Sequence, residues 1–192
     1  MTLQRFVDPS DIDAAILSHS HTDHLADLLQ MWRLRVESTN RPLPIIGPSN
    51  MPTAITEDPD AFTPTVARMG TRSMGPLTVR LAPVEHGECW ATRINDTLCY
   101  TADSSPCASL DDLAAGVAIL LAEASGTDAT GPMKSHLTAG DAARLAVRSG
   151  AQLLILTHFR PSHDQTRLLE EATAIATCPV IAATPGLRLA MP

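Results

Sequence analysis

The chain has 192 residues, 44% of them hydrophobic, and a formal net charge of −7, which fits one domain, residues 1–192, with a sizeable core. A single lysine, Lys134, and a densest basic cluster of only Arg33 and Arg35, read as a solvated helix face, argue against a broad nucleic-acid-coating surface but leave room for a small basic pocket. The four cysteines (Cys89, Cys99, Cys107, Cys178) form no CxxC pair, Arg5, Asp8, Asp11 and Asp13 interrupt any signal-peptide core, and the longest apolar run, about Leu113 to Ala122, is too short for a bilayer; a cytoplasmic protein with no membrane partner is expected.

In chain order, "DAAILSH" reads as a buried strand that ends at His19. Leu25, Leu28, Leu29, Trp32 and Val36 then recur at helical spacing, and "PLPIIGPS" is a short strand closed by Gly47 and Pro48. From Met51 to Pro76 the composition in Pro, Gly and Thr predicts a loop with one short helix. "GPLTVRLAPVEH" alternates as a half-buried strand, and "CWATRI" and "TLCYTAD" form a hairpin around Asn95-Asp96. "GVAILLAEAS" and "AQLLILTH" are buried strands; between them lies a helix opened by Thr138 with Asp141 and stopped by Gly150. Leu168, Leu169, Ala172, Ile175 and Ala176 mark a last helix, and "PVIAAT" and "GLRLAM" are expected strands. Strands with interspersed helices indicate a layered α/β or α+β domain.

The stretch "SHSHTDH" concentrates chemistry. His19 and His21, two apart at a strand end, point the same way, and Asp23 and His24 follow in the turn that opens a helix. Three imidazoles and a carboxylate so close together suit zinc and similar ions; the plain alternative is a polar turn with Asp23 as a helix cap. His86, Asp103 and His158 each end an apolar strand, and His136 precedes the capped helix. Layered α/β folds gather their sites at such strand ends. The proposed ligands are all His or Asp, with no cysteine, as in open catalytic rather than closed structural sites.

"HSHTDH", "VEHGECWATRI", "YTADSS", "LLAEAS", "SHLTAGDAA" and "LILTHF" follow one another in the order seen in the metallo-β-lactamase-fold hydrolases. The chain resembles most the branch of tRNA 3′-processing endonucleases (RNase Z) and atypical cyclic-nucleotide phosphodiesterases, over nearly its whole length. The resemblance implies an αββα sandwich and two divalent ions, Zn²⁺ first, with Mn²⁺ or Fe²⁺ able to take the same ligands. It implies His19, His21 and His86 at the first ion, Asp23, His24 and His158 at the second, and Asp103 between them. Asp23 would also orient the nucleophile, and Glu123 with His136 matches a carboxylate–histidine pair thought to assist leaving-group protonation. Paired cations lower the pKa of a bound water and clamp attacking and leaving oxygens.

Several departures bear on substrate and completeness. The family usually has a strand pair and a DxG motif before "LQR", and this chain opens "MTLQRF". The expected consequence is a sheet edge left open for a second copy to cover, and the resemblance implies a homodimer. The glycine after HxHxDH is replaced by Leu25-Ala26-Asp27, and Ala122 stands where a histidine usually precedes Glu123. With no Gly- and Pro-rich arm and an acidic charge, the expectation is a phosphodiesterase acting on a cyclic nucleotide or similar small phosphodiester. RNA 3′-end cleavage is the alternative among enzymes. A metal-binding protein without turnover is the alternative from another class.

Overall fold

A computed structural model describes residues 3–131 and 133–189, which form two compact units, the first ending at Ala67 and the second starting at Arg68. In the first unit, β1 (Ala15–Ile16), β2 (Leu43–Gly47) and β3 (Phe62–Val66) make an all-parallel sheet in that order. Helices α1 (Thr22–Leu25), α2 (Leu28–Thr39) and α3 (Thr53–Thr56) connect them, as parallel pairing requires a crossover. The core packs Leu17, Leu25, Met31, Leu43, Ile45, Ile55 and Phe62. The expected strand from Asp13 to His19 pairs at Ala15 and Ile16, and the Leu17 N–H bond to the Ile46 carbonyl, 2.8 Å, extends it.

Arg35 corrects the expectation of a solvated face: it is 4% exposed. Its guanidinium donates to the carbonyls of Ile12 (2.8 Å), Pro42 (3.0 Å) and Arg41, so it fastens α2 to the segments on either side. Arg33 is exposed as expected, and the side chains of Leu29 and Trp32 lie outside the described residues.

The second unit holds a seven-stranded sheet in the order β10-β9-β8-β7-β6-β5-β4, so each strand lies beside its neighbour in sequence. β4 (Gly70–Met74), β5 (Leu77–Glu85), β6 (Glu88–Ile94) and β7 (Leu98–Tyr100) are antiparallel. β8 (Ile119–Glu123), β9 (Leu153–Thr157) and β10 (Val180–Ala182) continue it in parallel. The parallel crossovers are α4 (Ala108–Ala114), α5 (Ala139–Ser149) and α6 (Gln165–Ile175), and their apolar faces and the strands bury Leu110, Leu113, Leu120, Leu137, Leu145, Leu154, Leu156 and Leu168. Thr138 and Asp141 form the expected capping box, and Gly150 ends α5 with φ 71°.

Three expectations fail locally. Residues 51–76 contain the strands β3 and β4 as well as the short helix, α4 was not anticipated, and residues 186–189 are not a strand. Residues 190–191 of that last expected strand lie outside the described residues. No helix among the described residues is long and apolar enough to cross a membrane.

Candidate metal centre

Strand direction decides where the site residues of the second unit fall. β5, β7, β8 and β9 all run the same way, so their C-terminal ends share one sheet edge. His86 follows β5, Asp103 follows β7, Glu123 closes β8, and His158 follows β9; His136 enters from the loop before α5.

Each of the three imidazoles here is held by its Nδ1. His86 Nδ1 lies 2.7 Å from the Ser135 carbonyl, so it carries the proton and donates. His158 Nδ1 is 3.0 Å from Ser125 Oγ, which itself donates to Glu123 Oε2 at 2.6 Å. His136 Nδ1 donates to Glu123 Oε2 at 2.9 Å. The opposite nitrogens are left without the proton: His86 Nε2 and His158 Nε2 stand 3.9 Å and 3.4 Å from Asp103 Oδ2. Imidazoles that ligate metals are oriented in this way, with the far N–H given to a carbonyl, carboxylate or hydroxyl. His86, Asp103 and His136 offer donor atoms within 4.8 Å of one another, as do Glu123, His136 and His158. This nitrogen and carboxylate set fits a divalent transition metal.

Glu123 is fully buried and supplied with donors: the Ser104 N–H reaches Oε1 at 2.6 Å, and Ser125 and His136 share Oε2. A buried carboxylate satisfied this way is tolerated as an anion. Asp103 is 2% exposed. The backbone around the cluster is contorted. Ala102, Ser135 and His158 have φ of 52°, 64° and 57°, a region that ordinary side chains avoid, whereas the other two such non-glycine residues among those described are asparagines, Asn40 capping α2 and Asn95 in a hairpin turn.

In the first unit, His19, His21, Asp23 and His24 occupy the turn after β1 and the start of α1. His19 is 2% exposed; its Nε2 is 3.1 Å from His21 Nδ1, and its ring centroid is 4.2 Å from that of His24. His24 Nε2 lies 3.4 Å from Asp23 Oδ2. Asp23 lies within α1, whose N-cap is His21.

Sequence reasoning missed the groups that hold these residues. Ser125 lay inside a quoted motif with no role given, and a serine two residues past a glutamate has no pattern of its own. The loop carrying His136 is also tied down. Asp128 accepts from Thr138 Oγ1 at 2.6 Å and from Arg144 at 2.8 and 3.1 Å, which holds its carboxyl below the ordinary range. Glu171 accepts from the backbone of Asp128 and Gly140 at 3.0 and 2.8 Å. A pocket of about 310 Å³ opens beside this tether, with His136, Met133, Pro106 and Arg144 on its walls.

A family of beta-lactamase superfamily domains matches residues 2–159. The chain is 30% identical to an uncharacterized protein of Mycobacterium tuberculosis, Rv1339, over 93% of this chain and 72% of that one. It is 27% identical to a ribonuclease Z of Mycobacterium bovis, over 81% and 70%. The metallo-beta-lactamase fold protein YhfI of Bacillus subtilis is 27% identical and superposes with a TM-score of 0.87, over 96% of this chain and 80% of that one. With its histidine and aspartate cluster on that fold, the chain belongs to the metallo-β-lactamase superfamily, in its ribonuclease Z-like branch.

Proposed function

We propose that this chain is a metal-dependent hydrolase of phosphodiesters, with a cyclic nucleotide or a similar small diester as substrate. The observation that carries the reading is the shared orientation of the imidazoles: Nδ1 of His86, His136 and His158 is fastened, and the Nε2 atoms of His86 and His158 face Asp103. On the family resemblance, His19, His21 and His86 would hold one ion and Asp23, His24 and His158 a second, with Asp103 as a further ligand. Zn²⁺ suits these donors best, and Mn²⁺ or Fe²⁺ can take them too. Such ions, when bound, supply an acidified water and positive charge against the phosphate oxygens.

The chain's own residues do the rest. Asp23, exposed at the start of α1, orients the attacking water. Glu123 holds the Nδ1–H of His136, so in the doubly protonated ring the proton that leaves is the one on Nε2, available to the leaving oxygen. The pocket beside His136 has room for the leaving group, and its walls of Pro106 and Met133 suit a flat apolar moiety.

The likeness to ribonuclease Z favours a second reading, cleavage at an RNA 3′ end. Release of nitrophenol from bis(p-nitrophenyl) phosphate with added Zn²⁺ or Mn²⁺ tests the shared chemistry. Turnover is expected and is lost in Asp103→Ala. Cyclic AMP and a precursor tRNA then separate the two substrates. A folded, metal-loaded protein that hydrolyses none of these would sink the reading and leave a metal-binding protein without turnover.

A further inference from the structure

Thr71, Thr78, Arg80, Arg93, Asn95 and Asp96 line a hollow of about 410 Å³ on the antiparallel half of the second unit's sheet. Register builds it: Thr71 on β4 lies opposite Arg80 on β5, and Arg80 lies opposite Arg93 on β6, so the three side chains share a face. Two like charges directly opposed on a sheet are destabilising unless something offsets them. Arg93 is offset. It donates to the Leu113 and Ala115 carbonyls at the end of α4, 3.0 and 2.7 Å away, and pairs with Asp96 at 2.8 Å. Among the described residues, no hydrogen bond or ion pair occupies Arg80.

The remaining groups are donors. Asn95 holds φ 52° at the hairpin turn, and its Oδ1 accepts the Thr78 N–H at 2.9 Å, which fixes its amide on the wall of the hollow as a donor. Thr71 and Thr78 are exposed and add hydroxyls. The single acid, Asp96, is spent on Arg93. The chain carries only 14 Lys and Arg against 21 Asp and Glu, and four of the 14 (Arg68, Arg72, Arg80 and Arg93) fall on or beside β4 to β6.

We propose that this hollow binds a phosphate group, with the Arg80 guanidinium as its main contact and Asn95, Thr71 and Thr78 as supporting donors. A guanidinium fork with hydroxyl and amide donors matches a tetrahedral oxyanion. Arg80 precedes His86 by six residues, about 20 Å along an extended strand, so the phosphate bound here is not the one at the candidate metal centre. It belongs either to a polynucleotide strand reaching across the sheet or to a free small anion. The proposal does not depend on the hydrolytic reading.

The test is an NMR titration of the ¹⁵N-labelled full chain with inorganic phosphate and, separately, with a short single-stranded oligoribonucleotide. The amides of Thr71, Thr78 and Asn95 report the hollow; those of His86 and His136 report the metal centre independently. The hollow amides are expected to shift, with affinity at least about tenfold weaker in Arg80→Gln and nitrophenol release unchanged in that variant. Tighter binding of the oligonucleotide, with a salt slope about one smaller in Arg80→Gln, identifies a strand as the source. Equal or tighter binding of inorganic phosphate identifies a free anion. No shift at millimolar concentrations of either ligand, or shifts that survive in Arg80→Gln, would overturn the proposal.

Discussion

Glu123 takes three donors while fully shut off from water, and its chemistry is in the acceptor character of both oxygens. Glu123→Gln keeps the shape but puts an NH₂ where a carboxylate oxygen was. Oε2 serves Ser125 and His136 and Oε1 accepts the Ser104 N–H, so whichever way the amide turns the variant loses at least one of these bonds or inverts the His136 tautomer. Turnover is expected to fall by about 10²–10⁴-fold, the usual span for a lost general acid, with KM and bound metal little changed. Steady-state kinetics with metal analysis checks this. Two other buried groups respond to pH. Burial first, and for Cys89 the nearby Asp103 charge second, push the Cys89 and Cys99 thiols up to about 12. The thiolate is the reactive form, so both should escape iodoacetamide at pH 8 in the folded protein and react once it is unfolded, as mass spectrometry will show. A thiol raised on folding favours the folded state below its ordinary value near 9, and that contribution is lost as pH climbs toward 12. At this scale the imidazoles were legible because histidine pairs at strand ends are rare. Ser125 and the Ser135 carbonyl were not, since they act through position alone.

The loop between β8 and α5 is the element on which His136 depends. Asp128 and Glu171 close its base, and there is no room to spare: a Cβ on Gly140 would lie 2.4 Å from an Asp128 oxygen. Gly140→Ala therefore displaces the Asp128 carboxylate from Thr138 and Arg144. Overpacking of this kind costs about 1–3 kcal/mol, or roughly 2–12 °C of Tm in a chain of this size. Hydrogen exchange should quicken over residues 126–138 more than over β8 or β9; uniform quickening would mean that the glycine matters to the fold and not to the loop. The capping box that starts α5 was readable because Thr138 and Asp141 are spaced for it. β3 was hidden by Pro64, which a strand at a sheet edge tolerates because one side of its backbone goes unpaired. β4 was hidden by its polar edge sequence, Gly-Thr-Arg-Ser-Met, and α4 by its seven-residue length and an N-cap, Cys107, that makes no capping bond. Arg35 misled for another reason: a charge that ends buried on backbone carbonyls looks in sequence like any surface charge.

For the whole molecule, metal is expected to act as a stabiliser, since a ligand that binds only the folded chain adds about 2.7 kcal/mol at a hundred times its Kd. Saturating Zn²⁺ should raise Tm by roughly 5–11 °C, chelation should reverse the rise, and Asp103→Ala should abolish it; scanning calorimetry decides. The family was legible across almost the full length because its motifs sit at successive strand ends, and the family match over residues 2–159 covers the same span. The seven-stranded sheet carries one more consequence. Each of its strands lies beside the strand that precedes it in the chain, so no distant segment has to arrive before the next can pair. Its antiparallel half closes only tight turns, between Met74 and Leu77, Glu85 and Glu88, and Ile94 and Leu98, and so loses little loop-closure entropy, whereas each parallel pairing must first close a helical crossover. The antiparallel strands should therefore form first, and a nascent chain can then add β8, β9 and β10 to that edge one crossover at a time.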